Sequence, residues 1–137
     1  MMTERQWLGR ARFIDREITA IEKALQDARD AMVRITQNYE SDGAQSSKDP
    51  HKMDRVVEFA DMLREKQEEL YSAKAEITEA IYQLQDSRLR TALINYYVNL
   101  MTWEETSVAM HYQWSRMMDI RRMALEAIDP IIKKRLL

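Results

Sequence analysis

The chain has 137 residues, 45% of them hydrophobic and 32% charged, with a formal net charge of −2. It holds two glycines and two prolines, where average usage gives about seven of each or more, so tight hairpins and glycine-rich phosphate loops have little to be built from and an all-α chain is the default. Cysteine is absent, which excludes disulfides, thiolate nucleophiles and Cys-based metal sites, and neither His51 nor His111 has a second ligand at metal-binding helical spacing.

Charge is unevenly spread. From Asp86 onward eight Lys/Arg face six acids, while residues 1–85 carry 13 basic and 17 acidic side chains. The N-terminal stretch MMTERQWLGRARF is charged throughout and no run of about 18 apolar residues occurs, so a cytoplasmic protein without a membrane partner is expected.

The first element is long. Trp7, Ala11, Ile14, Ile18, Ile21, Leu25, Ala28, Met32, Ile35 and Tyr39 alternate by fours and threes, the seam of a heptad helix of about 35 residues. Turn residues collect only in SDGAQSSKDP, at 41–50, which predicts a loop between Gly43 and Pro50. A second seam follows through Val56, Leu63, Leu70, Ile77 and Leu84, filled in by Phe59, Ala73, Ala80 and Ile81 and broken by Lys66 and Gln67. Two matched seams joined by a short polar loop predict a long antiparallel helical hairpin, coiled-coil-like, over 1–85. Leu8, Phe13, Phe59, Met62, Tyr71 and Tyr82 remain as apolar flanks, to be covered by the C-terminal segment folding back, by a second copy or by a different partner protein, with a homodimer through the hairpin the leading candidate.

After Leu84 the periodicity changes. Asp86 or Ser87 caps a short helix through Leu89, Ala92, Leu93, Tyr96, Tyr97 and Leu100. Thr102 and Glu105 then stand at the first and fourth places of a capping box, so a helix begins at Trp103 and runs to about Met110. His111, Tyr112 and Gln113 form a turn, and a last helix runs from about Trp114 to Asp129, ended by Pro130. A small three-helix helix-turn-helix domain over 86–137 is the expected result.

The segment LQDSRLRTALINYYVNLMTWEETSVAMHYQWSRMMDIRRMALEAI resembles region 4 of sigma factors, and more closely the small phage-encoded proteins that set such a domain behind a helical hairpin. Arg88, Leu89, Arg90, Leu93, Tyr96, Tyr97, the TWEE run, Tyr112, Met117, Ile120, Ala124 and Leu125 carry the likeness. The resemblance implies a phage or prophage transcription regulator in a bacterial host cell, binding promoter DNA and RNA polymerase. The sequence departs from the family pattern at His111, where a glycine is usual, at Gln113, where a small polar residue opens the recognition helix, and at Thr106 and Ser107, where apolar and alanine residues are usual.

With Met117, Ile120, Ala124 and Ile128 inward, helical geometry turns Ser115, Met118, Asp119 and Arg122 outward toward a major groove, flanked by Trp114 and Arg116, with Arg121 at the side. Arg116 and Arg122 suit guanine edges or phosphates best, and a solvated face with an internal Arg–Asp pair is the plain alternative. Thr102, Lys133, Lys134 and Arg135 are candidate phosphate contacts, the last three also being placed to complement a helix dipole. No cofactor, metal or enzymatic activity is expected, because nucleophile, paired histidine and phosphate loop are all missing from the sequence. Two other readings stand beside DNA regulation: a non-catalytic protein-interaction module acting through the hairpin, and a phage DNA-packaging small subunit.

Overall fold

The structure is a computed structural model and describes residues 2–42 and 50–137, with the side chains of 39–42 outside the described set. The expected loop residues 43–49, Gly43 among them, and the seam side chain Tyr39 therefore lie outside the described residues. The described residues form five α-helices, α1 (Glu4–Asp42), α2 (Lys52–Tyr82), α3 (Ser87–Leu93), α4 (Trp103–Ala109) and α5 (Trp114–Leu136), with a π-helical turn at Ile94–Val98 and no strand. None of these helices is long and apolar enough to cross a membrane.

The 39 residues of α1 exceed the expected 35 because the helix starts earlier. The Gln6 amide donates to Thr3 Oγ1 (3.2 Å) and the Thr3 amide donates to Gln6 Oε1 (2.9 Å), a reciprocal cap that satisfies two N-terminal donors. Contacts along α1 and α2 descend in one helix as they ascend in the other: Asp15 meets Lys74, Glu22 meets Tyr71, and Leu25 and Ala28 share a buried cluster with Ala60 and Leu63. The hairpin is antiparallel.

The chain divides into two compact units, Arg16–Tyr71 and the combination of Met1–Asp15 with Ser72–Leu137. In the first, the seam is made of Leu25, Ala28, Ala60 and Leu63, edged by Ile21, Ala24, Met32 and Val56. Phe59, expected both as seam filler and as an apolar flank, is 48% exposed and so lies on the flank, and its neighbour Ala60 is buried in the seam instead. Counting three residues on from Val56 favours the large aromatic; the packing uses the fourth, Ala60, which is fully buried in a cluster with Leu25, Ala28 and Leu63.

In the second unit every helix contributes buried residues, among them Trp7, Leu8, Ile77, Ile81, Leu93, Met117, Ile120 and Ile128. Leu8, an apolar flank expected to need cover beyond the helical pair, is fully buried in this unit. Lys74 donates a hydrogen bond to Asp15, a charged pair at a heptad position. Helix α5 packs on α3 and α4.

Two boundaries differ from expectation. Pro130 does not end the last helix, which continues to Leu136. Proline inside a helix costs about 3 kcal/mol or more. Ile128 and Ile132 on either side of it are both fully buried. Burying two such side chains is worth about 1.5–3 kcal/mol each, enough to hold the helix through the missing hydrogen bond. The helix expected through Leu100 instead stops at Leu93 and widens into the π turn, where the Asn99 amide donates to Ile94 O (2.9 Å).

Candidate nucleic-acid interface

The candidate interface begins at α3. Asp86 caps α3 by accepting from the Arg88 amide (2.9 Å), and the Arg88 guanidinium doubles back on the same carboxylate at 2.8 and 3.2 Å. That side-chain hydrogen bond, followed by the amide bond, lowers the Asp86 pKa to about 2 and raises that of Arg88. Arg90 ties the start of the domain to the end of α2 by donating to Leu84 O (2.6 Å) and Gln85 O (2.9 Å).

The π turn leads into a stack that orients α4. Tyr96 lies on Trp103 with ring centroids 4.3 Å apart and 13° between planes, while Tyr97 meets Tyr96 edge-on at 4.7 Å. Arg12 of α1 covers the other side of Tyr96 at 4.3 Å, donating to Tyr96 O and to Met101 O (3.1 Å), and Arg121 of α5 sits 5.1 Å over Trp103. Four side chains from four segments are thus layered in the order Arg12, Tyr96, Trp103, Arg121. Trp103 is 7% exposed and is a packing anchor; its Nε1 has no hydrogen-bond partner among the described residues. Burial raises the pKa of the neighbouring Tyr97 hydroxyl.

Helix α4 begins with the expected capping box: the Glu105 amide donates to Thr102 Oγ1 (3.1 Å) and the Thr102 amide to Glu105 Oε1 (3.3 Å). Thr106 and Ser107 are both buried. Their hydroxyls donate to Thr102 O (2.9 Å) and Glu104 O (3.0 Å), so neither leaves an unpaired polar group inside.

The turn resolves the missing glycine. His111 adopts φ 59°, the left-handed conformation that glycine accepts most cheaply. Its amide donates to Val108 O (3.1 Å) and the Tyr112 amide to Ser107 O (2.9 Å), the paired bonds of a Schellman ending. Leu100, before the capping box, has φ 62°. Helix α5 then opens at Trp114 behind Gln113, whose side chain makes no cap hydrogen bond.

On α5, Met117, Ile120, Ala124 and Ile128 are fully buried, as expected, and Ser115, Arg116, Asp119 and Arg122 are exposed on the far side. Trp114 is 48% exposed and Met118 half-buried. Arg122 lies between Asp119 (3.6 Å) and Glu126 (3.9 Å), the internal pairing foreseen as the plain alternative. Arg116 has no ion-pair partner among the described residues. Over Trp114–Asp129 three arginines balance three carboxylates. Arg121 is engaged with the Trp103 ring.

The structure thus gathers Trp114, Ser115, Arg116, Asp119 and Arg122 on the opening turns of one helix and sets the other candidates apart. Thr102 is exposed at the α4 start with its hydroxyl accepting in the capping box. Lys133, Lys134 and Arg135 are exposed in the last turn of α5, about 25 Å along the axis from Arg116. No group of three or more metal-ligating side chains occurs among the described residues. Sequence reasoning passed over Arg12, whose partners Tyr96 and Met101 lie 84 and 89 residues further on, beyond the reach of any local pattern. Compared with known proteins, the chain matches no family model, no curated protein and no solved structure.

Proposed function

We propose that this chain is a non-catalytic DNA-binding transcription regulator of the phage or prophage sigma region 4-like kind, acting in the cytoplasm of a bacterial host. In this reading α5 enters the major groove of promoter DNA, RNA polymerase is the protein partner, and the hairpin serves dimerisation. The observation that carries it is the exposed outer face at the start of α5, where Ser115, Arg116 and Asp119 stand free of the core behind a well-formed turn at His111. Arg116 is the principal base or phosphate contact. Arg122, shared between two carboxylates, is released to DNA only in exchange for those pairs.

Fluorescence anisotropy with phage promoter fragments at about 50 mM salt tests the reading. Arg116→Ala weakens binding by about 1–3 kcal/mol, and affinity falls steeply as salt rises. Lys133→Ala and Lys134→Ala have smaller effects, being displaced along the helix from the reading turns. Folded wild-type protein that binds no fragment at low salt refutes the proposal.

A further inference from the structure

Within the unit Arg16–Tyr71, helix α2 carries a second heptad row beside the one it buries. Val56, Ala60 and Leu63 pack against α1. One residue earlier at each step, Arg55, Phe59, Met62, Lys66 and Glu69 follow at spacings of four, three, four and three, and all of them are exposed. At about 100° per residue that offset places the five together on one flank of the helix, turned by about 100° from the buried seam. Phe59 and Met62 at its middle are each 48% exposed.

Charge on this flank is arranged symmetrically about Met62. Arg55 and Glu69 stand seven residues to either side of it, and Lys66 and Glu58, the latter exposed at the edge of the flank, stand four residues to either side. Both pairs are of opposite sign, so the flank is complementary to itself turned end for end. A parallel, in-register copy would set each charge against its own kind. The antiparallel stagger that brings Phe59 level with the partner's Met62 fails as well, because it sets Arg55 against the partner's Lys66 twice.

We infer that this flank of α2 packs on the same flank of a second copy of the chain, antiparallel, about a two-fold axis through Met62. Met62 meets the partner's Met62, and Phe59 falls between the partner's Met62 and the partner's Lys66. Glu69 faces the partner's Arg55, and Lys66 faces the partner's Glu58. Lys66 already donates to Glu69 within its own helix (3.4 Å). On each side of the axis four charges therefore alternate in sign: the partner's Arg55, Glu69, Lys66 and the partner's Glu58. The two-fold repeats every contact, so one self-complementary flank is satisfied twice. The inference rests on the dimerisation part of the functional reading, for which it names the surface, and is independent of whether α5 binds DNA.

The chain has no cysteine, so a single introduced thiol reports on one position. Met62→Cys, on the axis, forms a disulfide-linked dimer under mild oxidation, whereas Glu68→Cys, exposed on another side of α2, stays monomeric on a non-reducing gel. Sedimentation equilibrium at micromolar concentrations gives a wild-type dimer, with circular dichroism to verify that each variant is folded. Glu58→Lys alone, and Lys66→Glu alone, place like charges opposite each other twice and weaken self-association about tenfold or more. An equimolar mixture of the two variants restores the dimer, because both contacts of the mixed pair are again of opposite sign. A monomeric wild type overturns the inference together with dimerisation, and anisotropy on promoter DNA then stands as a separate result. A wild-type dimer overturns this surface alone, leaving dimerisation in place, if Met62→Cys does not cross-link, if the charge variants associate as the wild type does, or if their mixture stays monomeric.

Discussion

Replacing His111 by glycine stabilises the protein, although the substitution removes a side chain and adds none. His111 sits at φ 59° with its side chain exposed. For a residue with a Cβ the left-handed conformation costs about 1–2 kcal/mol. Glycine avoids that cost but loses about 0.4–1 kcal/mol through the larger freedom of its unfolded chain. The net gain is about 0.5–1 kcal/mol, which for a chain of this length is a rise in Tm of about 2–4 °C. His111→Ala is the control, since alanine also lacks the imidazole yet keeps the strain, and it leaves stability nearly unchanged. Urea and thermal unfolding measure all three proteins. A glycine variant less stable than the alanine variant would refute the strain argument, because the two differ only in backbone freedom.

Three further outcomes follow from the same geometry. Gly9→Ala stabilises the protein by about 0.5–1 kcal/mol, since the position is helical and its new methyl group is unopposed, and thermal melting reads the gain. The Asp86 carboxyl has its pKa lowered to about 2, so it contributes stability above its unfolded value near 4 that is lost as pH falls toward 2; Asp86→Asn flattens the unfolding profile in that window and matches the wild type below it. Arg12→Lys keeps the charge but gives up the planar cover of Tyr96 and one of the two carbonyl bonds, costing about 1–2 kcal/mol, and amide exchange at residues 99–103 accelerates more than in α2.

Periodicity carried most of this fold, and the departures have separate physical causes. Trp7, Ala11, Ile14, Ile18, Leu25, Ala28 and Ile35 are buried as their spacing requires, since one seam residue per half-heptad leaves a helix little choice of face. Where two neighbouring residues competed for the same place, as Phe59 and Ala60 do, size and spacing pointed different ways, and Ala60 is the one buried. Caps were legible because their partners lie three residues apart in sequence: Thr102 with Glu105 was read, while Thr3 with Gln6, the same device with an amide, was not. Pro130 misled because its local cost is visible in the sequence and the burial of Ile132 is not.

The candidate interface divides in the same way. The exposed face of α5 follows from helical geometry alone, and the left-handed turn from the demand for reversal between two adjacent helices. The layering of Arg12, Tyr96, Trp103 and Arg121 joins residues far apart in the chain, and no spacing rule announces it. The pairing of Arg122 with both Asp119 and Glu126 was half visible, since carboxylates three before and four after an arginine lie on its own face.

Because the unit that contains α3, α4 and α5 also contains residues 1–15, it is assembled from two stretches of chain separated by the whole of Arg16–Tyr71. Arg12 cannot cover Tyr96 until those 56 intervening residues have been looped out. As a flexible tether, such a segment would impose a closure entropy that grows with the logarithm of its length. Zipped into its own helical pair, it brings its two ends together at once. A helical pair already closed within Arg16–Tyr71 thereby lowers the entropic cost of setting Arg12 over Tyr96.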